Sequence, residues 1–220
     1  MHSKITCPAK ITAIAVSPNG LYCAVASSET IYIWQIGTGN QLCTLSRHFQ
    51  PITCLNFTDD SSYLISGADD SLVSVWPLVR VLSHSRGFEV ESVTPKYTWS
   101  DHALPITSIH VGRGGKYARV TTSSLDLTCK LWDLSTGHLL RSFVFDVAIL
   151  SVVMDAAEYR LFAGGFDGKI YVVHLFKQVR YTYYRLNQII MTCPTNSLKS
   201  SAWLYHVNII MKVLTNSVEC

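Results

Sequence analysis

The residues able to do chemistry recur as a set. His48, Ser66, Asp70 and Trp76 are followed by His102, Thr122, Asp126 and Trp132, each Asp six residues before its Trp and each hydroxyl four before its Asp. Each His opens the same string, His-x-x-Pro-Ile-Thr, at 48–53 and 102–107. Histidine, hydroxyl and carboxylate together could form a nucleophilic triad, with the imidazole as base and the carboxylate orienting it. Against that reading, the set occurs twice, carries an indole N–H donor, and has no Gly-x-Ser-x-Gly elbow. The same types close a buried hydrogen-bonded chain: the carboxylate accepts from the imidazole, the imidazole from the hydroxyl, and the hydroxyl from the indole. Such a network is stable in a core only when complete, because one buried charge left unpaired costs about 3–5 kcal/mol. The eight residues are therefore expected to be structural, and no catalytic, cofactor-binding or metal-binding residue is expected.

The elements that hold these sets repeat too. Thr30–Trp34, Leu72–Trp76, Thr128–Trp132 and Lys169–Val173 are strand-like ends spaced 42, 56 and 41 residues apart. A unit of about 42 residues, made of alternating apolar runs broken by turns, is the period of a four-stranded propeller blade. The turns repeat as SPNG (17–20), TDDS (58–61), GRGG (112–115) and DAAE (155–158), with Thr38-Gly39 and Thr136-Gly137 each following a Trp. Gly and Asn supply positive φ, while Asp and Ser bond their own backbone, which suits tight hairpins. The outer units lack complete sets. Ser28 stands where Asp is expected in the first; the fourth keeps Asp167 but has Ala163 and Val173 in the hydroxyl and Trp positions, so neither is expected to form a tetrad.

Other chemistries fall away. Gly112-Arg113-Gly114-Gly115 lacks the third glycine of a dinucleotide fingerprint and joins two strands, so it is a turn. The eight histidines include no pair at metal-ligand spacing, and none of the seven cysteines forms Cys-x-x-Cys; they read as reduced, mostly buried small hydrophobes. Residues 1–176 hold 13 Lys+Arg against 14 Asp+Glu, and 177–220 hold 5 against 1, so the net +3 belongs to the tail. A balanced repeat region leaves no electrostatic footprint for a phosphate backbone, and no direct nucleic-acid contact is expected. No signal-like apolar segment follows Met1, and the longest apolar stretch, Trp203 to Leu214, includes His206, Asn208 and Lys212, too short and polar to cross a bilayer. At 48% hydrophobic residues the 220-residue chain can bury a real core, and a soluble protein without membrane or small-molecule partners is expected.

The paired sets and the Trp-ended strands resemble the WD-repeat family. Longer strings are similar to the WD-repeat subunits of the rixosome, an assembly that helps mature the large ribosomal subunit: SPNGLY (17–22), LSRHFQ (45–50), FTDDSS (57–62), HALPIT (102–107), ARVTTSSLDLTCKLW (118–132) and VFDV (144–147). The resemblance spans residues 4–176. It implies an all-β propeller of seven blades, of which about four are present here, in units near 4–44, 45–98, 99–143 and 144–176. It further implies a non-catalytic scaffold in rRNA processing, located in the nucleus (nucleolus and nucleoplasm), with the cytoplasm as the alternative. The implied partners are a helical-repeat rixosome scaffold subunit rich in proline, glutamate and leucine, the ribosome-remodelling AAA ATPase and the pre-ribosomal particle. In some lineages a role in replication licensing is also implied.

Residues 177–220 do not follow the family pattern, and an irregular tail is expected there. The 56-residue interval carries its extra 14 residues within Val79 to Tyr97, where Arg80, His84, Arg86, Glu89, Glu91 and Pro95 replace the strand pattern and a long surface loop is expected. An open arc of four blades would expose two apolar sheet faces. Two other functions compete with the ribosomal scaffold. A ubiquitin-ligase substrate receptor of this family needs Arg two positions after Trp-Asp, where Trp132-Asp133 is followed by Leu134 and Ser135. The other is a shortened form with no independent function.

Overall fold

The computed structural model describes residues 6–84, 93–175 and 182–184. Among these residues, sixteen strands form four separate four-stranded sheets. The first holds β1 (Ile11–Val16), β2 (Tyr22–Ser27), β3 (Thr30–Gln35) and β4 (Gln41–Ser46). The second holds β5 (Ile52–Phe57), β6 (Tyr63–Ala68), β7 (Val73–Pro77) and β8 (Tyr97–Trp99). In the third are β9 (Ile106–Val111), β10 (Arg119–Ser124), β11 (Thr128–Asp133) and β12 (Leu139–Val144). In the fourth are β13 (Ile149–Met154), β14 (Arg160–Gly165), β15 (Ile170–His174) and β16 (Thr182–Tyr184). Every pairing is antiparallel and every sheet is a simple meander. The first strands β1, β5, β9 and β13 lie beside one another in chain order, which is the arrangement of propeller blades around an axis.

The sequence produces this by alternating residues across both faces of each sheet. In β3, Ile31 and Ile33 point into the layer shared with the second sheet, while Tyr32 and Trp34 stack on the opposite face at 5.6 Å between ring centroids. Three apolar layers result, one between each pair of neighbours. The first is built around Ile31, Ile33, Leu64 and Trp76, the second around Ile65, Val75, Ile109 and Trp132, and the third around Leu131, Val152, Leu161 and Val173. Each blade thus buries its faces only against its neighbours, as repeat architectures do. On the first sheet's far face, Ile14 and Val16 remain 62% and 55% exposed.

The turns obey local chemistry. Gly20, Ser61 and Glu158 each close a first hairpin at positive φ, bonding back to the carbonyls of Ser17, Thr58 and Asp155. The side chains of those three residues accept from the N–H groups of Tyr22, Tyr63 and Arg160. Gly39 and Gly137 fill the left-handed positions after β3 and β11.

Two expectations need correction. The insertion after β7 begins as a helix, α1 (Leu78–His84), and not as a loop. Its Leu78 and Val81 are buried against the first apolar layer, so one turn of amphipathic spacing inside the charged stretch suffices to fold it. Arg86, Glu89 and Glu91 lie outside the described residues. The boundary at 176 cuts a blade: Thr182–Tyr184 pairs with β15 in the register Ile170↔Tyr184 and supplies the fourth strand. β-branched and aromatic residues there fit an edge strand even without the family pattern. The rest of 177–220, Phe176 and residues 1–5 lie outside the described residues.

Candidate functional site

The eight residues of the paired sets converge in two places. In the second blade, His48 Nδ1 lies 3.0 Å from Asp70 Oδ2, His48 Nε2 lies 2.8 Å from Ser66 Oγ, and Trp76 Nε1 donates to Ser66 Oγ at 3.0 Å. In the third, His102 Nδ1 lies 2.8 Å from Asp126 Oδ2, Nε2 lies 2.8 Å from Thr122 Oγ1, and Trp132 Nε1 donates to that hydroxyl at 3.0 Å. The hydroxyl and Trp sit on the second and third strands of their sheet. The Asp closes the turn between those strands, and the His comes from the connection entering the blade.

Burial lowers the pKa of both imidazoles despite the adjacent carboxylates, so each is neutral at pH 7. The tautomer that satisfies every contact carries its proton on Nδ1, donates to Asp, and accepts from the hydroxyl at Nε2. Burial also pushes the Asp126 carboxyl up, but hydrogen bonds from Thr128 and His102 outweigh it and hold the group below its ordinary value. Each Asp has a second task. Asp70 Oδ2 accepts from Phe49 N–H and Oδ1 from Leu72 N–H; Asp126 takes the corresponding bonds from Ala103 and Thr128. One carboxylate therefore pins the incoming chain, closes the turn and fixes the histidine.

The Ser66–His48–Asp70 distances match those of a nucleophilic triad, yet Ser66 and Thr122 are fully buried and already accept from an indole. No substrate reaches either hydroxyl. What the arrangement does is lock the entry loop, the second hairpin and the third strand of a blade to one another.

Further residues, not anticipated from sequence, complete the blade joints. Thr53 Oγ1 donates to Ile106 O at 2.5 Å, and Thr107 Oγ1 donates to Ile149 O at 2.6 Å. The shared Ile-Thr of the His-x-x-Pro-Ile-Thr strings was the signal. At the opposite edge, Asp59 accepts from the N–H groups of Gly114 and Gly115 at 3.0 and 2.7 Å, and Glu158 accepts from Arg113 N–H at 3.0 Å. The repeated turns therefore bond to one another as well as closing their own hairpins.

The outer blades use substitutes. Ser28 holds φ 57° in a turn closed by the Ser27↔Thr30 pair, and Ser27 Oγ takes the entering chain's Ala9 N–H, the task Asp performs elsewhere. In the fourth blade, Tyr171 Oη donates to Asp167 at 3.0 Å while its ring meets Phe145 edge-on at 5.3 Å. Only glycine fits at 165, since a Cβ would fall 2.7 Å from the Tyr171 ring. A Tyr two residues before the Trp position was the visible sign.

Comparison with known proteins decides the family. The profile of the "WD domain, G-beta repeat" family matches residues 2–35, 39–77 and 93–133. The chain belongs to the WD-repeat family. The fourth blade, with its substituted tetrad, lies beyond the matched residues. The chain is 50% identical to human WD repeat-containing protein 18 over 80% of its own length and 40% of that protein's. It is 36% identical to Pre-rRNA-processing protein IPI3 of Mycosarcoma maydis over 80% of its length and 32% of that protein's. It is 33% identical to Protein ROOT INITIATION DEFECTIVE 3 of Arabidopsis thaliana over 74% of its length and 37% of that protein's. The chain thus spans about 40% or less of the length of these WD-repeat relatives. Two solved structures, described as "Structure of U3-55K" and "Crystal structure of RRP9 WD40 repeats", share its fold at TM-score 0.66 and 18% identity, covering 82% of this chain and 53% and 52% of theirs.

Proposed function

We propose that this WD-repeat chain is a non-catalytic protein-interaction scaffold of ribosome biogenesis, acting in rRNA processing in the nucleus as part of a rixosome-type assembly. The observation that carries the reading is the pair of relatives above, one at 50% identity over 176 residues and one whose printed name is a pre-rRNA-processing protein. The geometry supports it: the histidine, hydroxyl and carboxylate groups are spent on rigidity, leaving loop rims around a stiff scaffold, which is how propellers present binding surfaces. The tetrads of Asp70 and Asp126 are proposed as positioning devices for those loops. The partners proposed are the helical-repeat scaffold subunit rich in proline, glutamate and leucine, the ribosome-remodelling AAA ATPase, and through them the pre-ribosomal particle. A role in replication licensing would follow from the same assembly.

Size-exclusion chromatography of the full chain with the tagged scaffold subunit tests this. Co-elution at stoichiometric ratio, lost in the Asp126→Ala variant, is the expected result. A soluble, folded chain that never co-elutes would overturn it.

A further inference from the structure

Both loop rims of the blade arc expose large apolar side chains, Leu21, Ile36, Tyr117 and Tyr159 on the first-hairpin side, and they differ in how their charged groups are used. On the rim of the first hairpin turns, polar groups are spent between blades: Asp59 holds the Gly114 and Gly115 amides, and Glu158 holds Arg113 N–H and lies 3.6 Å from Arg119. The other rim is formed by the blade entry loops and the turns between second and third strands. Backbone bonds tie these together as one edge: Asp69 N–H to Pro51 O, Leu125 N–H to Pro105 O, Phe145 N–H to Leu127 O, and Phe166 N–H to Ala148 O. Along that edge Phe49 is 68%, Leu104 48%, Leu127 40% and Phe166 58% exposed. Exposed carboxylates alternate with them at Glu29, Asp69, Asp101 and Asp146. Among the described residues these four and Asp167 stand against Lys10, Arg47 and Lys169, and Lys169 is paired to Asp167 at 2.8 Å; Asp70 and Asp126, with side chains only 7% and 8% exposed, are spent in the tetrads.

Leu127 adds a separate observation. It holds φ 66°, in the left-handed region, at the turn position where the neighbouring blades place Ser71 and Gly168. A bulky side chain is disfavoured there, and glycine would relieve it. Folding is therefore not what a leucine at this exposed position serves.

We propose that this acidic, apolar-studded rim is a docking surface for a basic segment of a partner protein, one that alternates Lys or Arg with Leu or aromatic residues. Charge complementarity selects the sign: the carboxylates attract cations and reject an acidic segment, while Phe49, Leu104, Leu127 and Phe166 take up apolar side chains. The inference rests on the scaffold reading above and names the chemistry of one partner for it.

The test is fluorescence anisotropy of the full chain with three labelled synthetic peptides of equal length. One alternates Lys with Leu and Phe, one replaces each Lys by Glu, and one keeps Lys but replaces the apolar residues by Ser. Only the first should bind, weakening about tenfold between about 50 and 300 mM salt. Phe49→Ser with Phe166→Ser should weaken it by at least about tenfold. Asp101→Asn with Asp146→Asn should weaken it and flatten the salt dependence. The opposite-rim pair Tyr117→Ser and Tyr159→Ser should leave binding unchanged. Leu127→Gly should weaken binding while raising the melting temperature, a combination that a folding defect cannot produce. Equal binding of the Glu peptide, equal loss in the opposite-rim variant, or no binding of the first peptide would overturn the proposal. If scaffold co-elution fails while this pattern holds, the ribosomal reading falls and the docking surface stands.

Discussion

Replacing Asp126 by Ala should cost far more stability than replacing Asp167 by Ala, although both are turn carboxylates at matching positions of adjacent blades. Asp126 accepts four bonds, from His102 Nδ1, the Ala103 and Thr128 N–H groups, and Thr128 Oγ1. The His102 side chain is 1% exposed, so its donor keeps only Thr128 Oγ1, 3.2 Å away, as a partner once the carboxylate is gone. A buried polar group left poorly satisfied costs about 1–3 kcal/mol, and two further backbone bonds to a charged acceptor weaken with it. Ala103 is exposed, so water replaces one of these at little cost. The total comes to about 3–4 kcal/mol, a large part of a typical domain's stability. Asp167 bonds Tyr171 Oη and Lys169, but its side chain is 22% exposed, and its loss should cost about 1 kcal/mol. For a chain of this size the two values correspond to falls in melting temperature of about 10 °C and about 3 °C. Urea titration followed by tryptophan fluorescence reads both variants directly. Equal losses, or a loss below about 1 kcal/mol for Asp126→Ala, would refute the assignment of stability to a complete tetrad.

Stability should also depend on pH through the two histidines. Burial holds His48 and His102 below their ordinary 6.5, so the unfolded chain takes up protons first as pH falls; the denaturation midpoint should be flat above about pH 7 and drop below about 6.5, and a midpoint that rises with acid would contradict neutral tetrad imidazoles. Gly67→Ala should destabilise by about 1–3 kcal/mol, because its Cβ would sit 2.7 Å from Ile106 Cγ2 inside the layer between the second and third blades, whereas Gly20→Ala, with open space around it and only a left-handed φ to maintain, should cost about 1 kcal/mol in the same urea titration. Removing the inter-blade hydroxyls in Thr53→Val and Thr107→Val should each cost about 1 kcal/mol, and their joint effect, measured as a double variant, should add because the two bonds belong to different joints. The Cys43 thiol, pushed by burial up to about 12, and the Cys129 thiol, pushed well above its ordinary value, should resist a thiol reagent at neutral pH until denaturant is added.

What the sequence made legible was whatever repeats. The Trp-ended strands lie in the third strand of successive sheets, and the paired His, hydroxyl, Asp and Trp converge because a fixed blade geometry turns equal spacings into equal positions. Bonds between unlike residues were harder to read. Ser27 takes the place of an Asp only because the first blade's turn is tighter, so counting back from Trp34 lands on Ser28, one residue too far. The helix at Leu78–His84 was hidden because two buried residues, Leu78 and Val81, decide it within a stretch whose composition reads as loop. Strand β16 was hidden for the opposite reason: edge strands need only local propensity and a neighbour, and Thr182–Tyr184 has both without any family signature.

The fourth blade shows what the tetrad does and does not do. It folds into the same meander as the others with Ala163 and Val173 in place of hydroxyl and indole, because its face is buried against Leu131, Phe143 and Phe145 of the third blade. Sheet burial therefore makes a blade, and the tetrad is a separate device acting on the loops. Where it is present, its carboxylate fixes the backbone beside Phe49 and Leu104; where it is absent, Tyr171 and Asp167 hold only the turn beside Phe166. The loops beside Phe49 and Leu104 are thus fixed by the tetrads, as the opposite rim is by Asp59 and Glu158. Surfaces that bind by preorganised contacts lose less entropy on association, so fixing these loops in advance raises the affinity available to a partner seated on them.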